Sequence, residues 1–203
     1  MDTVKPFLHY LQKFTDLTDE EFNKFLLPVI TFRRVDKKEK ITRAGEVENY
    51  FNFIVKGLLR KYYLKGREEI NTQISTEGHI IHSQESFHGR TPSEYFVEAI
   101  EPSIIVSITF NDLESVYTQS KKMEHLGRMV ITRTMIIKDR WQMQLVKMTP
   151  RERFLNFVTK NPEMMQRVPQ KFLASYLNIK AETFSRFKHL IRNHTKGQLA
   201  VGS

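Results

Sequence analysis

The hydrophobic residues near the N-terminus follow a helical period. Residues 6–13 are predicted to form a short helix, and Thr18-Asp-Glu-Glu21 is a capping box, which predicts that a second helix begins there and runs to Pro28. The apolar positions of these two helices are Phe7, Leu8, Tyr10, Leu11, Phe14, Phe22, Phe25 and Leu26.

From residue 29 the hydrophobic period changes to two, which is the period of a half-buried strand. Seven short strands are predicted, at residues 29–35, 39–42, 50–55, 58–64, 69–74, 95–100 and 103–109. Turn-forming dipeptides such as Lys56-Gly57 and Glu101-Pro102 separate them. Short strands at this regular spacing predict a small antiparallel barrel or jelly roll between about residues 29 and 109.

Helical spacing returns after the last strand. Asn111 or Asp112 is expected to cap a helix of roughly 30 residues, about 45 Å long, because no proline follows until Pro150. Such a helix is too long to pack fully on a domain of this size, so its apolar stripe is expected to pair with a second copy of itself. Two helices broken near Gly127 are the alternative.

The last quarter of the chain contains shorter amphipathic segments. Thr149-Pro-Arg-Glu152 is a second capping box with proline at the first helical position, and Asn161-Pro162 stops the helix that it begins. Residues 147–149 are therefore the expected hinge between two domains. Residues 168–191 contain two helical segments broken at Asn178-Ile179, which is the pattern of a helix-turn-helix, with an ordinary αα-hairpin as the alternative.

The residue types in this segment suit a helix-turn-helix. Ala174 is small where the second helix would cross the first, and Asn178 tolerates left-handed backbone angles in the turn. Ile179 would fill the crossing, and Phe184 and Phe187 would bury the inner face of the second helix. The positions left exposed near the start of the second helix, where base edges in a major groove are read, are Ala181, Glu182, Ser185 and Arg186.

The charge is concentrated on the same part of the chain. The sequence has 32 Lys and Arg against 23 Asp and Glu, a net charge of +9. The residues from 147 onward hold 11 basic and 3 acidic side chains, so that +8 of this charge lies with the predicted helix-turn-helix. A polyanionic partner, double-stranded DNA, is the simplest reason for this distribution.

Other classes of protein are disfavoured. Without cysteine there is no disulfide framework, thiolate metal site or iron–sulfur cluster. No apolar run approaches the roughly 20 residues of a membrane span, and no signal-peptide core is found, so a cytoplasmic protein without a membrane partner is expected. We also find no glycine-rich phosphate loop, nucleophile elbow or His-Glu-x-x-His helix, so no catalytic residues and no enzyme are predicted.

The order of these elements resembles the Crp/Fnr family of prokaryotic transcription regulators. The resemblance rests on Ile41-Thr-Arg-Ala-Gly45-Glu46, Phe53-Ile-Val-Lys-Gly57-Leu-Leu-Arg60 and Ala181-Glu-Thr-Phe-Ser-Arg186. It implies an α+β fold, with an eight-stranded antiparallel β-roll (jelly roll) sensor domain and flanking helices in residues 1–110. A long dimerisation helix in residues 111–146 and a winged helix-turn-helix domain in residues 147–203 would follow, the wing being curtailed to residues 193–203. The implied protein is a homodimer that binds a near-palindromic DNA site and contacts RNA polymerase.

The family's base-reading positions are only partly present. Its recognition helix resembles Arg-Glu-Thr followed by an Arg, and here Glu182, Thr183 and Arg186 match while Ala181 replaces the first Arg. The resemblance implies that Glu182 accepts from a cytosine amino group and that Arg186 bonds a guanine. A phosphate contact of Arg186, or its salt bridge with Glu182, is the alternative. The residues expected to contact DNA phosphates are Gln170, Lys171, Thr183, Lys188 and His189.

The effector pocket departs further from the family pattern. Cyclic-nucleotide-binding members resemble Gly-Glu-x-Gly followed by an Arg-Ser or Arg-Thr pair just before the next strand. Here Gly78-His79-Ile80-Ile81 and Ser93-Glu94 stand in these places, and a buried Glu94 is expected to repel a phosphate. Binding of cyclic AMP by the usual mechanism is therefore not expected, and any effector stays unidentified. The candidate pocket residues, which include the displaced pair Arg90-Thr91, are Gly78, His79, Ile81, Arg90, Thr91, Ser93 and Glu94.

Two further interpretations remain open at this stage. His79, His82 and His88 fall within ten residues, but no cysteine or carboxylate spacing completes a site around them, so neither a metal nor a haem cofactor is predicted. The competing class of function is a ligand-binding β-roll that acts through protein contacts, with the basic C-terminal segment serving structure only.

Overall fold

The computed structural model describes residues 3–188 of the chain. These residues form two compact units. The N-terminal unit comprises the residues up to 68 together with residues 72–136, and the C-terminal unit comprises residues 69–71 together with the residues from 137 onward.

Seven strands form in the described residues, at the positions that the period of two predicts. They are β1 (Thr31–Val35), β2 (Lys40–Thr42), β3 (Tyr50–Lys56), β4 (Leu59–Lys65), β5 (Glu68–Ser75), β6 (Phe96–Ala99) and β7 (Ser103–Thr109). They are arranged in two sheets, of order β1-β7-β3 and β2-β6-β4-β5. The α+β fold with an antiparallel roll is confirmed. The eighth strand that the resemblance implies is not among the described residues, although isolated bridges join Val47 to Pro92 and Phe53 to Ile80.

The two faces of the first sheet serve two cores. Because successive side chains of a strand point to opposite faces, Ile54 and Ile105 pack between the sheets, with Leu59 and Val97 of the second sheet. Phe53 of β3 and Val106 of β7 point the other way, toward the helices. The alternation of the sequence therefore supplies both a roll interior and a platform for helices.

The N-terminal helices lie on this platform. They are α1 (Lys5–Leu11) and α2 (Asp19–Glu21), and α2 continues as a π-helical turn (Phe22–Leu26) and a 3₁₀ turn (Leu27–Val29). The predicted capping box is confirmed, since the Glu21 amide donates to the Thr18 hydroxyl (3.2 Å) and the Thr18 amide donates to the Glu21 carboxylate (3.0 Å). Phe7 and Phe22 are almost fully buried beneath these helices.

The prediction of one helix from residue 111 is wrong. After α3 (Gln84–Gly89), the chain forms α4 (Phe110–Gln119) and α5 (Lys121–Lys147), which are separated by the extended residue Ser120. The cap of α4 is Thr109, whose hydroxyl accepts from the Asp112 amide (3.1 Å), and not Asn111 or Asp112. Two helices form, but the predicted break near Gly127 is wrong, because the chain breaks at Ser120 and Gly127 lies within α5.

Gly127 instead allows α4 and α5 to approach each other. A Cβ atom at Gly127 would lie 2.2 Å from the hydroxyl oxygen of Tyr117 and 2.6 Å from its Cε1 atom. Gly127 therefore lets α5 pack closely against α4, and it does not end the helix. With 27 residues, α5 is about 40 Å long.

Four helices follow α5 in the described residues. They are α6 (Pro150–Lys160), α7 (Met164–Arg167), α8 (Gln170–Tyr176) and residues 181–188, here called α9. The second capping box is confirmed, with the Glu152 amide 3.3 Å from the Thr149 hydroxyl. The short helix α7 was not predicted. The predicted wing, residues 193–203, and the last residues of the predicted recognition helix lie outside the described residues.

Candidate nucleic-acid interface

The turn between α8 and α9 has the geometry expected of a helix-turn-helix. Asn178 has a φ of 51°, in the left-handed region that its side chain tolerates better than most. The Ile179 amide donates to the carbonyl of Ala174 (2.9 Å), and the Ile179 side chain is buried. The small Ala174 and the left-handed Asn178 together allow the chain to reverse within a few residues, as predicted.

The inner face of α9 packs on α6. Phe184 is 1% exposed, and its ring centroid lies 5.1 Å from that of Phe154 in an edge-to-face arrangement. The Phe187 ring is 5.6 Å from the same ring and partly buried. The predicted inner face is confirmed, and it determines which residues of α9 point outward.

The outward face carries the candidate base-reading residues. Ala181, Glu182, Ser185 and Arg186 are all exposed. Arg186 donates to the Thr183 hydroxyl (3.3 Å), and among the described residues no ion pair joins it to Glu182. The Arg186 guanidinium is therefore not held by the neighbouring carboxylate.

The residues predicted to contact DNA phosphates differ in their exposure. Gln170 and Lys171 are exposed in the first turn of α8, while Thr183 and Lys188 of α9 are partly exposed. His189 lies outside the described residues. The Lys171 Nζ atom lies 5.0 Å from the centroid of the Phe172 ring, and both Gln170 and Lys171 are accessible at the start of α8.

A buried arginine links the parts of the C-terminal unit, and the sequence analysis missed it. Arg153 is 7% exposed, and its guanidinium donates to four backbone carbonyls. The acceptors are Leu145 (3.2 Å), Met148 (2.7 Å), Leu177 (2.9 Å) and Asn178 (3.0 Å). In the sequence Arg153 is one of several cations in a basic segment, so nothing in the local sequence pattern indicates that it is buried.

An aromatic stack joins α5 to α8 in the same unit. The rings of Trp141 and Tyr176 are parallel within 3°, with centroids 4.3 Å apart. Phe157 of α6 contacts Tyr176 from the side, with centroids 6.0 Å apart. Burial raises the pKa of the Tyr176 phenol above its ordinary value.

The seven candidate effector-pocket residues do not share one environment. Glu94 is exposed, so the expectation of a buried carboxylate at this place is wrong. Gly78, His79 and Thr91 are also exposed, whereas Ile81 is 0% exposed within the core between the sheets. An apolar cavity of about 40 Å³ in the N-terminal unit is lined by none of the seven residues.

Arg90 has a structural role in the N-terminal unit. It follows α3 with left-handed backbone angles, and its guanidinium donates to the carbonyls of Glu48 (2.8 Å) and Phe87 (3.2 Å) and to the Asn49 side chain (2.6 Å). The guanidinium also lies 4.3 Å from the centroid of the Phe110 ring. These contacts hold Arg90 on the protein itself, away from the role of a phosphate ligand.

Glu48 is a buried carboxylate that sequence reasoning did not single out. It is 2% exposed and accepts from the Thr42 hydroxyl, the Tyr50 amide (3.0 Å) and the Ser83 amide (3.5 Å). Ser93 reaches the same cluster through its hydroxyl, which donates to the Ser83 hydroxyl (2.8 Å). Burial is the main cause that raises the pKa of the Glu48 carboxyl.

The three histidines are not gathered into one site. His79 is exposed, whereas His82 is buried against Phe51 and Phe87, with ring centroids 5.4 and 5.2 Å away. His88 lies 6.0 Å from His82 between ring centroids. Within the described part of the chain, no group of three His, Cys, Asp or Glu side chains could hold a metal ion.

The second half of α5 exposes apolar side chains. The exposed fractions are 65% for Met135, 41% for Ile136, 48% for Ile137, 41% for Met143 and 77% for Val146. In the described residues no helix combines the length and apolar character needed to cross a membrane. Met135, Ile136, Met143 and Val146 lie within about 100° of one another around the helix and form an exposed stripe, whereas Ile137 lies outside it.

Solved structures share this fold. FixK2 from Bradyrhizobium japonicum is 20% identical, with a TM-score of 0.68 over 83% of this chain and 86% of that one. CLP from Xanthomonas campestris, described as a c-di-GMP responsive global regulator, is 15% identical, with a TM-score of 0.65 over 87% and 93%. A CooA mutant from Carboxydothermus hydrogenoformans is 16% identical, with a TM-score of 0.65 over 89% and 87%.

These comparisons identify the class of fold. The present chain shares the fold of these three proteins over 83–89% of its length, which is the fold that the resemblance to Crp/Fnr regulators implies. The sequence matches no protein-family model, and no curated protein matches it. At 15–20% identity the structural likeness concerns the fold.

Proposed function

We propose that the protein is a sequence-specific, DNA-binding transcription regulator of the Crp/Fnr type. The observation that carries this proposal is the helix-turn-helix, whose second helix exposes Ala181, Glu182, Ser185 and Arg186 while its other face is anchored on Phe154. The segment from residue 147 onward also carries +8 of the net charge of +9. A positively charged unit with a free polar helix face is what major-groove binding requires.

The roles of the exposed residues follow from their chemistry. Glu182 would accept from a cytosine amino group, and Arg186 would donate to the O6 and N7 atoms of a guanine. Ala181 offers only a methyl group, which suits contact with a thymine methyl. The proposed phosphate contacts are those of Gln170, Lys171, Thr183, Lys188 and His189.

The exposed stripe of α5 supports a homodimer as the active form. Ile136 and Met143 are seven residues apart and Val146 follows three residues later, which is the a and d spacing of a coiled coil. A second copy of α5 is therefore the partner of matching chemistry. Two recognition helices related by the dimer axis would then enter successive major grooves about 34 Å apart, on a near-palindromic site.

The proposed regulation does not use cyclic AMP through the usual pocket. Arg90 is engaged with Asn49 and two carbonyls, and Glu94 stands exposed, so neither supports the phosphate contact of the cyclic-nucleotide-binding members. Calorimetry with cyclic AMP should give no saturable binding at micromolar concentration, and such binding would reverse this part of the proposal.

The test of the function is selection of duplexes from a random pool by the purified, ligand-free protein. Enrichment of an inverted repeat is expected, and its half-site would show what Glu182 and Arg186 read. Affinity for the enriched site should fall steeply between 50 and 200 mM salt, by a factor of about 10³ or more if six or more phosphates are contacted. Binding that is neither selective nor salt-dependent would favour a β-roll that acts through protein contacts. A further partner, RNA polymerase, is tested by transcription reconstituted on the enriched site.

A further inference from the structure

We propose that Arg153 is a positioning residue that makes the end of α5 and the helix-turn-helix one rigid body. The link at Met148 and Thr149, which lies in the hinge predicted at residues 147–149, would then be locked. The consequence for DNA reading rests on the proposed function, whereas the lock itself does not. The orientation of α9 would be determined by α5 and not by rotation between α5 and α6.

The four acceptors of Arg153 lie on both sides of the link. Leu145 and Met148 are at the end of α5, and Leu177 and Asn178 form the turn that leads into α9. Arg153 itself lies in the first turns of α6. One side chain therefore joins three segments that would have to separate if the link moved as a hinge.

The chemistry favours this arrangement of one cation and four carbonyls. The last carbonyls of a helix have no partner within the helix and carry the negative end of its dipole. A guanidinium offers five N–H donors in a fixed plane and keeps its charge when it is buried. At 7% exposure, releasing Arg153 would leave a cation and several carbonyls without their hydrogen bonds.

Other contacts cross the same link. The Asn156 side chain donates from Nδ2 to the Gln144 Oε1 atom (3.2 Å), and the Met148 backbone amide still donates to the Gln144 carbonyl (3.0 Å), so α5 keeps its hydrogen bonding up to the link. The Thr149 amide donates to the Glu152 carboxylate (2.8 Å) and thereby fixes the start of α6. Both residues of the link, Met148 and Thr149, therefore donate a hydrogen bond to a residue three or four positions away.

The chain contains its own probe of this lock. Trp141 is the one tryptophan of the sequence, and it stacks on Tyr176 of the helix-turn-helix at 4.3 Å. Its fluorescence and its access to acrylamide therefore report whether the end of α5 remains docked on α8. Neither reading needs DNA.

The first experiment compares Arg153→Lys with Arg151→Lys. Lysine keeps the charge but cannot reach four carbonyls from one plane, and Arg151 is an exposed residue of the same helix. In Arg153→Lys we expect unchanged far-ultraviolet circular dichroism and a rise of roughly twofold in the acrylamide quenching constant of Trp141. Arg151→Lys should behave as the wild type. Equal quenching in the wild type and both variants would overturn the proposal, as would the same rise in both variants.

A measurement of DNA binding distinguishes a positioning role of Arg153 from a general effect on stability. In Arg153→Lys the preference for the selected site over random duplex should fall about tenfold, because α9 no longer holds one orientation. The salt dependence of binding should stay unchanged, because no phosphate contact is removed. A wild type without sequence preference would refute the proposed function, and the Trp141 reading would still decide the lock.

Hydrogen exchange on the wild type gives a test that needs no variant to fold. The amides of Met148 and Arg153 should exchange within about tenfold of the amides in the interior of α6, since a locked link opens only with the unit. Exchange at Met148 that is faster by orders of magnitude would show an open hinge and would overturn the proposal.

Discussion

The replacement Gly127→Ala tests how closely α4 packs on α5. In the interior of a helix, alanine is favoured over glycine by about 1 kcal/mol. Here, however, the new Cβ atom would lie 2.2 Å from the hydroxyl oxygen, 2.4 Å from Cζ and 2.6 Å from Cε1 of Tyr117. The two effects oppose each other, and their balance determines the sign of the change.

The steric overlap with Tyr117 should outweigh the gain in helix propensity. Several ring atoms are too close at once, so the ring must move as a whole by about 1 Å, and inserting a methyl group in a packed site costs about 1–3 kcal/mol. Subtracting the gain of about 1 kcal/mol in helix propensity leaves a destabilisation of about 1 kcal/mol. In a Tyr117→Leu background the shorter side chain leaves room, and the same Gly127→Ala change should stabilise by up to about 1 kcal/mol.

Urea titration followed by far-ultraviolet circular dichroism measures these free energies. Gly89→Ala is the matched control, because the nearest atom to its Cβ would be the Thr91 hydroxyl oxygen at 3.7 Å. It should change the stability by less than about 1 kcal/mol. If Gly127→Ala has the same sign with and without Tyr117, the packing argument fails.

Three further outcomes are expected. Arg186→Ala should relax the base preference at one position by about 1–3 kcal/mol, whereas Lys188→Ala should weaken all duplexes alike and lower the salt slope by about one; equal effects would contradict the assigned roles. Burial raises the pKa of Glu48 above its unfolded value, so its charge costs stability as pH rises from about 4.3 through the raised pKa. This loss should be absent in Glu48→Gln, and identical pH profiles of the two proteins would refute it. Val146→Glu on the exposed stripe should shift the sedimentation of the protein to that of a monomer, while Arg140→Glu should not.

The period of the sequence predicted most of the fold because it depends on local rules. Seven strands and two capping boxes follow from alternation and from residue spacing, and the structure confirms them. The start and the break of the predicted long helix failed for different reasons. Thr109 ends β7 as predicted, but its hydroxyl also caps α4 in place of Asn111 or Asp112, and Gly127 contacts Tyr117 instead of breaking the helix. The second role depends on a residue of another helix, which no local pattern displays.

The candidate site was predictable to the same extent. The inner and outer faces of α9 follow from spacing, so the exposed Glu182 and Arg186 agree with the pattern. The places of Arg153 and Arg90 do not follow, because both bind carbonyls that are distant in sequence or set by a turn. Sequence reasoning treats such arginines as surface charge or as ligands of an anion. Only the folded chain shows that they are used internally.

The second half of α5 has two faces with different uses. Met143 lies two residues from both Trp141 and Leu145, which is about 200° around the helix, so Met143 and the face that meets the helix-turn-helix are on opposite sides. Trp141 stacks on α8, and the Leu145 carbonyl accepts from Arg153. In the proposed dimer, a partner copy of α5 would press on the Met143 side. Both faces belong to the same continuous helix. A shift of the contact between the two copies of α5 would therefore move the helix-turn-helix as well. Regulation in this protein would then act by rotating or translating α5, and a loosened Arg153 would uncouple dimer packing from DNA reading without abolishing either.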